Sequence, residues 1–412
     1  MEYIRRTIEK LLMETKDSFK AVLVTGARQT GKSRMLMELF HDYKYVTFDD
    51  DYLRYQAESD PHLFMELNKN PVIFDEIQNT QGLFPLIKME CDKTQSKGLF
   101  LLSGSQPLRL MRNASESLAG RVGIIELSPF SLREIMGDSF SKPFLPTLDF
   151  IRDHSGTAKK PENIWEIIHR GGYPEANAPN MNWNIFYSSY VSTYLEKDVR
   201  ELSVVHNLSD FRKFMVACAA RTGRMLNYSH IADEVGKDAK TIKSWISILE
   251  SSGIVYLLEP FANNVLKRAI KTPKLYFRDT GLAAYLLRWL TSEQLATGAM
   301  SGQFFETFVV SEILKSYSNA GIDYRYCVSY YRGKDKREYA GDDKIDLIIE
   351  ENGKLHPIEI KKNERVNISQ ASAFDILDRL EGKERGTGAI ICNAQIPSRL
   401  SEDVLCIPVW MI

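Results

Sequence analysis

A glycine-rich run that ends in a lysine and a serine has the clearest capacity for chemistry. It comprises Gly26, Ala27, Arg28, Gln29, Thr30, Gly31, Lys32, Ser33 and Arg34. The run fits the pattern GxxxxGK[ST], between the strand-like AVLVT and the helical pattern KSRMLMELF. Because glycines let backbone N–H groups close around phosphate oxygens at a helix N-terminus, residues 26–34 are predicted to bind ATP. Lys32 would contact the β- and γ-phosphates, and Ser33 would ligate Mg²⁺.

An acidic pair, Asp75 and Glu76, directly follows the apolar residues of PVIFDEIQ, the second strand-like run after the phosphate loop. A carboxylate at the tip of a strand near a phosphate loop holds Mg²⁺ from a second side, which is the role predicted for Asp75. A neighbouring carboxylate can polarise the attacking water as a general base, which is the role predicted for Glu76. The pair therefore predicts hydrolysis of ATP rather than binding alone.

Two further features could complete this site. The run LFLLSGSQP ends in Ser103 and Ser105, either of which could contact the γ-phosphate or position the water, or simply form a Gly-Ser turn. Arg121 could supply the transition-state cation, in cis or from a neighbouring subunit of a homo-oligomer. The alternative is that Arg121 is an ordinary surface residue before a strand.

The elements that would position these residues follow from the pattern of the chain. From residue 20 to about 130, short apolar runs alternate with helical patterns, which indicates an α/β domain with a parallel sheet and flanking helices. Irregular, Pro- and Gly-containing sequence then marks a boundary. The predicted domains are a P-loop core (1–137), a linker and helical lid (138–223), a winged helix (224–295) and a PD-(D/E)xK-like α/β domain (300–412).

Composition limits the class of protein. The chain has 412 residues, 44% of them hydrophobic and 26% charged, with a net charge of −1, which is typical of a globular protein and excludes a globally basic one. Its five scattered cysteines indicate neither a disulfide framework nor a zinc site, so the cytoplasm is the predicted compartment. No apolar run approaches the ~18 residues of a membrane span, and the N-terminus does not read as a secretory signal, so no membrane partner is expected.

Residues 225–253 have the form of a helix-turn-helix. Ser229 and Asp238 are predicted to cap its two helices, and Gly236 permits the tight turn between them. The outer face of the second helix would present Lys240, Thr241, Lys243 and Ser244. Residues 206–275 hold eleven basic and six acidic residues, a local excess that suits DNA phosphate. The alternative is a rigid protein–protein or interdomain module.

The phosphate loop, Asp75-Glu76 and the phrases AGRV…ELSPFSLREI and RGGYPEA resemble a prokaryotic AAA-type (ASCE P-loop) ATPase family. Its members carry a C-terminal restriction-endonuclease-like domain of unknown function. The resemblance covers nearly the whole chain. It implies that the strand ending at Ser103 lies between the phosphate-loop strand and the Asp75 strand, with Asp75 as magnesium ligand and Glu76 as catalytic glutamate.

The run KIDLIIEENGKLHPIEIKK predicts a β-hairpin. If Asn352-Gly353 forms a type I′ turn, paired residue numbers sum to 705, and Asp346 lies opposite Glu359. The other face is predicted to hold the apolar residues Ile345, Leu347, Ile349, Ile358 and Ile360. Because like charges directly opposite destabilise a hairpin, a divalent cation between the two carboxylates would offset the repulsion.

This spacing is the PD-(D/E)xK nuclease pattern, with Lys361 placed to orient or deprotonate a metal-bound water. In such folds a glutamate on the preceding helix completes the site, and Glu306 is the matching position. The hairpin thus predicts a second Mg²⁺ or Mn²⁺, held by Glu306, Asp346 and Glu359. The alternative is that Lys344 and Lys361 only neutralise acids on an exposed sheet face.

Two functions follow from these expectations. The first is an ATP-hydrolysing protein that couples its P-loop domain to a DNA-binding winged helix and a nuclease-like domain. The second is a nucleotide-switched DNA-binding or signalling scaffold whose C-terminal domain does not cleave. A small-molecule kinase is disfavoured, because an acidic pair at a strand tip suits activation of water.

Overall fold

A computed structural model describes residues 2–105, 117–195, 199, 205, 207–262, 272–333, 344–380 and 382–412. Residues 196–198, 200–204 and 206, which belong to the predicted helical lid, lie outside these residues. The described α-helices are α1 Glu9–Ser18, α2 Lys32–Leu39, α3 Asp51–Ser59, α4 Pro61–Leu67, α5 Leu83–Lys93, α6 Leu132–Met136, α7 Leu148–His154, α8 Ile164–Arg170, α9 Trp183–Tyr194, α10 Leu208–Ala219, α11 Tyr228–Val235, α12 Ala239–Ser251, α13 Thr280–Leu286, α14 Ser292–Thr297 and α15 Ser301–Asn319.

The N-terminal region contains the predicted parallel sheet. Its strands are β1 Ala21–Thr25, β2 Lys44–Thr47, β3 Val72–Asp75, β4 Phe100–Ser103 and β5 Val122–Glu126. They lie in the order β2-β3-β4-β1-β5, so β4 is between β1 and β3, as the family resemblance implied. Because Val24 is level with Ser103, and Thr47 with Asp75, the carboxyl ends of these strands meet at one edge of the sheet.

Apolar side chains cover both faces of this sheet. Leu23, Phe74 and Leu102 pack in one cluster, while Val22 and Val24 pack in another against α2. Burial on both faces explains why the strands read as continuous apolar runs rather than as alternating ones.

The middle region, residues 138–295, is mostly helical and includes the predicted helix-turn-helix. Helix α11 is capped by Asn227, whose side chain accepts a hydrogen bond from His230 N, so the prediction that Ser229 caps it is wrong. Gly236 adopts the left-handed conformation between the helices, and Asp238 caps α12 as predicted. A small sheet with the order β6-β8-β7 flanks these helices in sequence, formed by β6 Arg224–Met225, β7 Val255–Leu258 and β8 Lys274–Phe277.

The C-terminal region, residues 300–412, places helix α15 against a seven-stranded sheet. The strands are β9 Val328–Arg332, β10 Lys344–Glu351, β11 Lys354–Lys361, β12 Glu384–Arg385, β13 Gly388–Cys392, β14 Ser398–Arg399 and β15 Val404–Pro408. Residues from α15, from these strands and from the middle region belong to one continuous apolar core. The middle and C-terminal regions therefore pack as one body.

The β10–β11 hairpin has the predicted register. Pairs from Leu347–Ile358 to Glu351–Lys354 sum to 705, and Asn352 and Gly353 have φ of 50° and 79°, as a type I′ turn requires. The prediction that Ile345 lies on the same face as Leu347 is wrong. The β9–β10 pairing shifts between Ile345 and Ile348, and these two side chains share a cluster on the opposite face from Leu347.

In the part of the chain that the structure describes, no helix combines the length and the apolar character that crossing a membrane requires.

Candidate functional site

The phosphate loop leaves the carboxyl end of β1 in a conformation that depends on glycine. Gly26 has φ of +137°, and a Cβ there would lie 2.3 Å from the carbonyl oxygen of Leu127. Gly31 has φ of +93°, and Gln29 also adopts a positive φ, of 60°. Positive φ at positions such as these lets a loop turn its backbone N–H groups inward, which makes an anion-binding concavity.

Helix α2 presents an open N-terminus to this concavity. Its N-cap residue, Gly31, has no side chain to satisfy the first N–H groups, and no acidic residue lies in the first turn. Lys32 is buried, and its Nζ donates to the carbonyl oxygens of Gly26 at 3.1 Å and Ala27 at 2.8 Å. The loop therefore combines unsatisfied helix N–H groups with a buried cation, which suits a polyphosphate.

The carboxylate of Asp75 receives three hydroxyl groups. Ser33 Oγ donates to Asp75 Oδ1 at 2.9 Å, and Ser103 Oγ donates to the same oxygen. Tyr45 OH donates to Asp75 Oδ2 at 2.6 Å. Burial and then the Asp75 carboxylate raise the pKa of Tyr45, so its phenol stays protonated and remains a donor. A hydroxyl and a carboxylate side by side next to a phosphate site are oxygen ligands that suit Mg²⁺.

Glu76 lies beside Asp75 but points to different partners. It has φ of 53°, and its Oε2 accepts hydrogen bonds from Ser105 Oγ at 3.0 Å and from the Ser105 N–H at 3.3 Å. Gln78 Nε2 also donates to this oxygen. A non-glycine residue in the left-handed region is uncommon, and here it turns one carboxylate away from its neighbour. Ser103 and Ser105 thus orient Asp75 and Glu76, respectively.

Arg121 lies far from these groups. Its carbonyl oxygen accepts from Ala21 N at the amino end of β1, whereas the phosphate loop leaves the opposite end, about 15 Å away at the usual rise of a strand. Its guanidinium pairs with Asp92 at 2.6 Å. The predicted role in cis is therefore wrong, because Arg121 precedes a strand that is parallel to β1. A role in a neighbouring subunit stays a prediction.

A cleft of about 510 Å³ adjoins the second half of the phosphate loop. Its walls include Tyr3, Ile4, Phe130 and Pro174, and it opens beside Arg34. Sequence reasoning missed this cleft, although Pro174 belongs to the phrase RGGYPEA. The position beside the loop and the largely apolar walls suit the nucleoside part of a nucleotide.

Arg6 ties the N-terminal segment to this cleft and was also missed. It is buried, and its guanidinium donates to the carbonyl oxygens of Thr30 at 2.9 Å and Ser128 at 2.6 Å. It stacks over Phe130 and pairs with Glu134. The phrase ELSPFSLREI therefore supports the back of the phosphate loop.

The residues predicted to contact nucleic acid lie on α12. Lys240 and Lys243 are exposed, while Thr241 and Ser244 are partly buried. Thr241 is also engaged locally, because its hydroxyl donates to Asp238 Oδ2 at 2.7 Å. The outward face of α12 is therefore mainly a pair of lysines.

The C-terminal carboxylates come together as the hairpin register predicts, but inside the protein. Asp346 is 2% exposed and Glu359 is 8% exposed, so the exposed-face alternative is wrong. Lys344 Nζ lies 2.6 Å from Asp346 Oδ1, and Lys361 Nζ donates to Glu359 Oε1 at 2.5 Å. Burial raises the pKa of Glu359 to about 7, assisted by the charge of Asp346. The pKa of Asp346 is lowered: burial opposes this, but Lys274 and Lys344 outweigh it.

Glu306 is held by a residue that sequence reasoning did not identify. Lys274, on β8, donates to Glu306 Oε1 at 2.9 Å, and Tyr276 OH donates to the same oxygen at 2.7 Å. Lys274 Nζ also lies 3.8 Å from Asp346 Oδ1.

This donor set does not fit a divalent cation as it stands. Each carboxylate is neutralised by a lysine, and the described residues contain no cluster of three or more metal-ligating side chains. Asp346 Oδ1 accepts no well-directed hydrogen bond, yet two ammonium groups flank it. The acids that would ligate a metal instead form a buried ion-pair network.

The two sites lie in regions that match different family models. Residues 18–136 match the AAA domain model, which places them in the P-loop ATPase class. Residues 161–293 and 301–412 each match a domain of unknown function, DUF8612 and DUF4143. The N-terminal site therefore lies in a region similar to P-loop ATPases, and the C-terminal site lies in a region that matches DUF4143.

Two proteins described as uncharacterized are similar to most of this chain. One from Mycobacterium bovis and one from Mycobacterium tuberculosis are each 26% identical over 393 residues, which is 94% of this chain and 79% of theirs. Among solved structures, a Walker-type ATPase of Pyrococcus abyssi is 15% identical, with a TM-score of 0.41 over 69% of this chain and 96% of that one. AMPPCP-bound DnaA from Aquifex aeolicus is 16% identical, with a TM-score of 0.28 over 59% of this chain and 85% of that one.

Proposed function

We propose that this protein binds ATP with Mg²⁺ and hydrolyses it. The observation that carries the proposal is the contact of 2.9 Å between Ser33 Oγ and the buried carboxylate of Asp75, directly beside the phosphate loop. Two oxygen ligands from separate elements meet there, one on the helix that cradles the phosphates and one at a strand tip.

Each side chain has a defined role in this proposal. Lys32 exchanges its contacts with loop carbonyls for phosphate oxygens, and Ser33 and Asp75 hold the cation. When bound, Mg²⁺ neutralises charge that develops on the phosphoryl oxygens. Glu76 accepts the proton of the attacking water, and the hydrogen bonds from Ser105 set the direction of its carboxylate.

Two variants test the proposal. Lys32→Ala is expected to lose ATP binding, measured by fluorescence of a labelled nucleotide. Glu76→Gln is expected to keep binding and lose turnover by about 10²-fold or more, as removal of a general base does. Glu90→Gln, which changes a partly exposed acid on the same domain, is the control and should hydrolyse like wild type. Undiminished hydrolysis in both site variants would refute the proposal.

We further propose that the nucleotide state acts on a nucleic-acid contact made by α12. What supports this is a contact between the two sites: Gly253, two residues beyond α12, abuts the phosphate loop, and a Cβ there would lie 3.4 Å from Ala27 N. The C-terminal end of the helix that presents Lys240 and Lys243 therefore lies against the loop that would bind ATP.

The test is DNA binding as a function of salt. If Lys240 and Lys243 each contact a phosphate, Lys240→Ala/Lys243→Ala should reduce the slope of log K against log[salt] by about 2. Lys213→Ala, an exposed lysine on α10, is the matched control. A slope that does not change in the double variant would remove α12 from the interface.

For the C-terminal region we propose the non-cleaving function rather than a metal-dependent nuclease. The lysine partners of Glu306, Asp346 and Glu359 support this choice, because a nuclease of this pattern needs its carboxylates available to a metal. Wild-type protein should leave a panel of single- and double-stranded DNA and RNA intact in Mg²⁺ and in Mn²⁺, with or without ATP. Cleavage that Asp346→Asn abolishes would reverse the choice.

A further inference from the structure

Lys274 has surroundings that differ from those of the other lysines at the C-terminal site. It begins β8 in the middle region, yet its side chain enters the carboxylate cluster of the C-terminal region and is 4% exposed. Its Nζ lies 2.9 Å from Glu306 Oε1, 3.8 Å from Asp346 Oδ1 and 3.2 Å from Tyr276 OH. Carboxylate and phenol oxygens therefore surround one ammonium group.

Two aromatic faces complete this environment. Lys274 Nζ lies 5.3 Å from the ring centroid of Tyr330 on β9 and 5.8 Å from that of Tyr276. Aromatic faces attract a cation more strongly where water is excluded. The cluster is therefore built to hold a positive charge at the position of this nitrogen.

Each acid of this site has a lysine beside it. Three carboxylates, Glu306, Asp346 and Glu359, face three lysines, Lys274, Lys344 and Lys361. A divalent cation between Glu306 and Asp346 would lie next to the Lys274 ammonium in a buried place, which is strongly unfavourable. A metal could bind there only if Lys274 left.

The three lysines differ in their freedom to leave. The side chains of Lys344 and Lys361 are 36% and 34% exposed, so both can swing into solvent on their long stems. Lys274 is enclosed by α15, the hairpin and two tyrosines, and its backbone pairs with β6 and β7. It cannot withdraw unless β8 moves.

We propose that the Lys274 ammonium is a built-in cation that stands between Glu306 and Asp346 in place of a divalent ion, and so closes the C-terminal site to metal. This inference rests on the proposed non-cleaving function and gives a physical cause for it. It also gives β8 a role, because this strand of the middle region supplies the positive charge beside the C-terminal acids.

A first test needs no change at Lys274. Full-length protein carrying Asp75→Asn, which removes the metal ligand of the ATP site, is titrated with Mn²⁺ without nucleotide, and free Mn²⁺ is followed by electron paramagnetic resonance. We expect no binding that depends on Asp346. A Mn²⁺ site that disappears on adding Asp346→Asn would overturn the proposal.

The second test removes the ammonium. In the Asp75→Asn background, Lys274→Met should create one Mn²⁺ site, and Mn²⁺ should raise the Tm of this variant but not that of its parent. Adding Asp346→Asn should abolish both effects. Lys354→Met is the matched control, because it removes an exposed lysine of the same hairpin that also pairs with a glutamate, Glu384 on β12. Absence of a new site in folded Lys274→Met would also overturn the proposal.

A destabilised Lys274→Met remains informative. If it folds poorly alone, Mn²⁺ should restore its folding, because the ion replaces the missing charge. Lys274→Met/Glu306→Gln, which removes the closest pair together, should fold without metal. If Mn²⁺ does not restore folding and the double variant also fails to fold, the proposal is contradicted.

A cleavage assay separates this inference from the proposed function. Asp346-dependent Mn²⁺ binding by the Asp75→Asn protein without cleavage would refute the inference alone, whereas Asp346-dependent cleavage would refute both.

Discussion

Tyr45 should control how tightly the ATP site holds Mg²⁺. Its hydroxyl lies 2.6 Å from Asp75 Oδ2, while Ser33 and Ser103 share Oδ1. Tyr45→Phe keeps the ring and removes the donor to one oxygen of the carboxylate. A partner that orients a metal ligand typically contributes 10- to 100-fold to metal affinity, which corresponds to about 1.4 to 2.7 kcal/mol.

The assay is the rate of ATP hydrolysis as a function of Mg²⁺ concentration. Tyr45→Phe should shift the half-saturating Mg²⁺ concentration upward by about 10-fold or more, while affinity for ATP without Mg²⁺ stays unchanged. Tyr43→Phe is the matched control, because its hydroxyl donates to Gly98 O at 2.7 Å, away from the site. If the Mg²⁺ dependence of Tyr45→Phe equals that of wild type, Asp75 is not the cation ligand that Tyr45 orients.

Two further predictions concern the two sites separately. Gly26→Ala should abolish nucleotide binding, since its Cβ would lie 2.3 Å from Leu127 O at φ of +137°; normal binding would show that the loop rearranges. Glu359→Gln should change the pH dependence of stability. The folded pKa of Glu359, about 7, exceeds its ordinary value of 4.5, so the contribution of this carboxyl to stability falls as pH rises between the two values, by about 3 kcal/mol. The free energy of unfolding of Glu359→Gln relative to wild type should therefore increase from pH 4.5 to 8 in urea titrations, and a constant difference would refute the assigned cause.

The parts of the fold that could be predicted depend on local signals. The phosphate loop and the parallel sheet follow from glycine spacing and from apolar runs between helical patterns. The hairpin register follows from Asn352-Gly353, because a two-residue turn fixes every pair. The bulge that moves Ile345 to the other face had no local signal, since it arises where β9 pairs with β10.

Two of the errors had a signal in the sequence that was open to another interpretation. Asn227 and Ser229 are comparable N-cap residues only two positions apart, so composition alone does not choose between them. Arg121 could have been placed correctly, because a residue before a parallel strand lies at the amino edge of the sheet, opposite the phosphate loop.

The contacts that were missed join residues distant along the chain. Tyr45 meets Asp75, Arg6 meets Thr30, and Lys274 meets Glu306 only after the strands and helices have packed. In each case the residue type does not indicate which partner the side chain contacts. Periodicity identifies that such residues are buried or exposed, but it does not identify which charge they meet.

Helix α15 of the C-terminal region contacts the N-terminal region as well as the C-terminal site. At its middle, Glu312 accepts from Leu132 N at 2.7 Å, and Lys315 donates to Phe130 O at 2.9 Å. Both partners follow β5, and Phe130 lines the cleft beside the phosphate loop. Glu306 lies six residues earlier, about 9 Å along the same helix, in contact with Lys274. One helix therefore connects residues 130–132, beside the phosphate loop, with the buried Glu306–Lys274 pair of the C-terminal site.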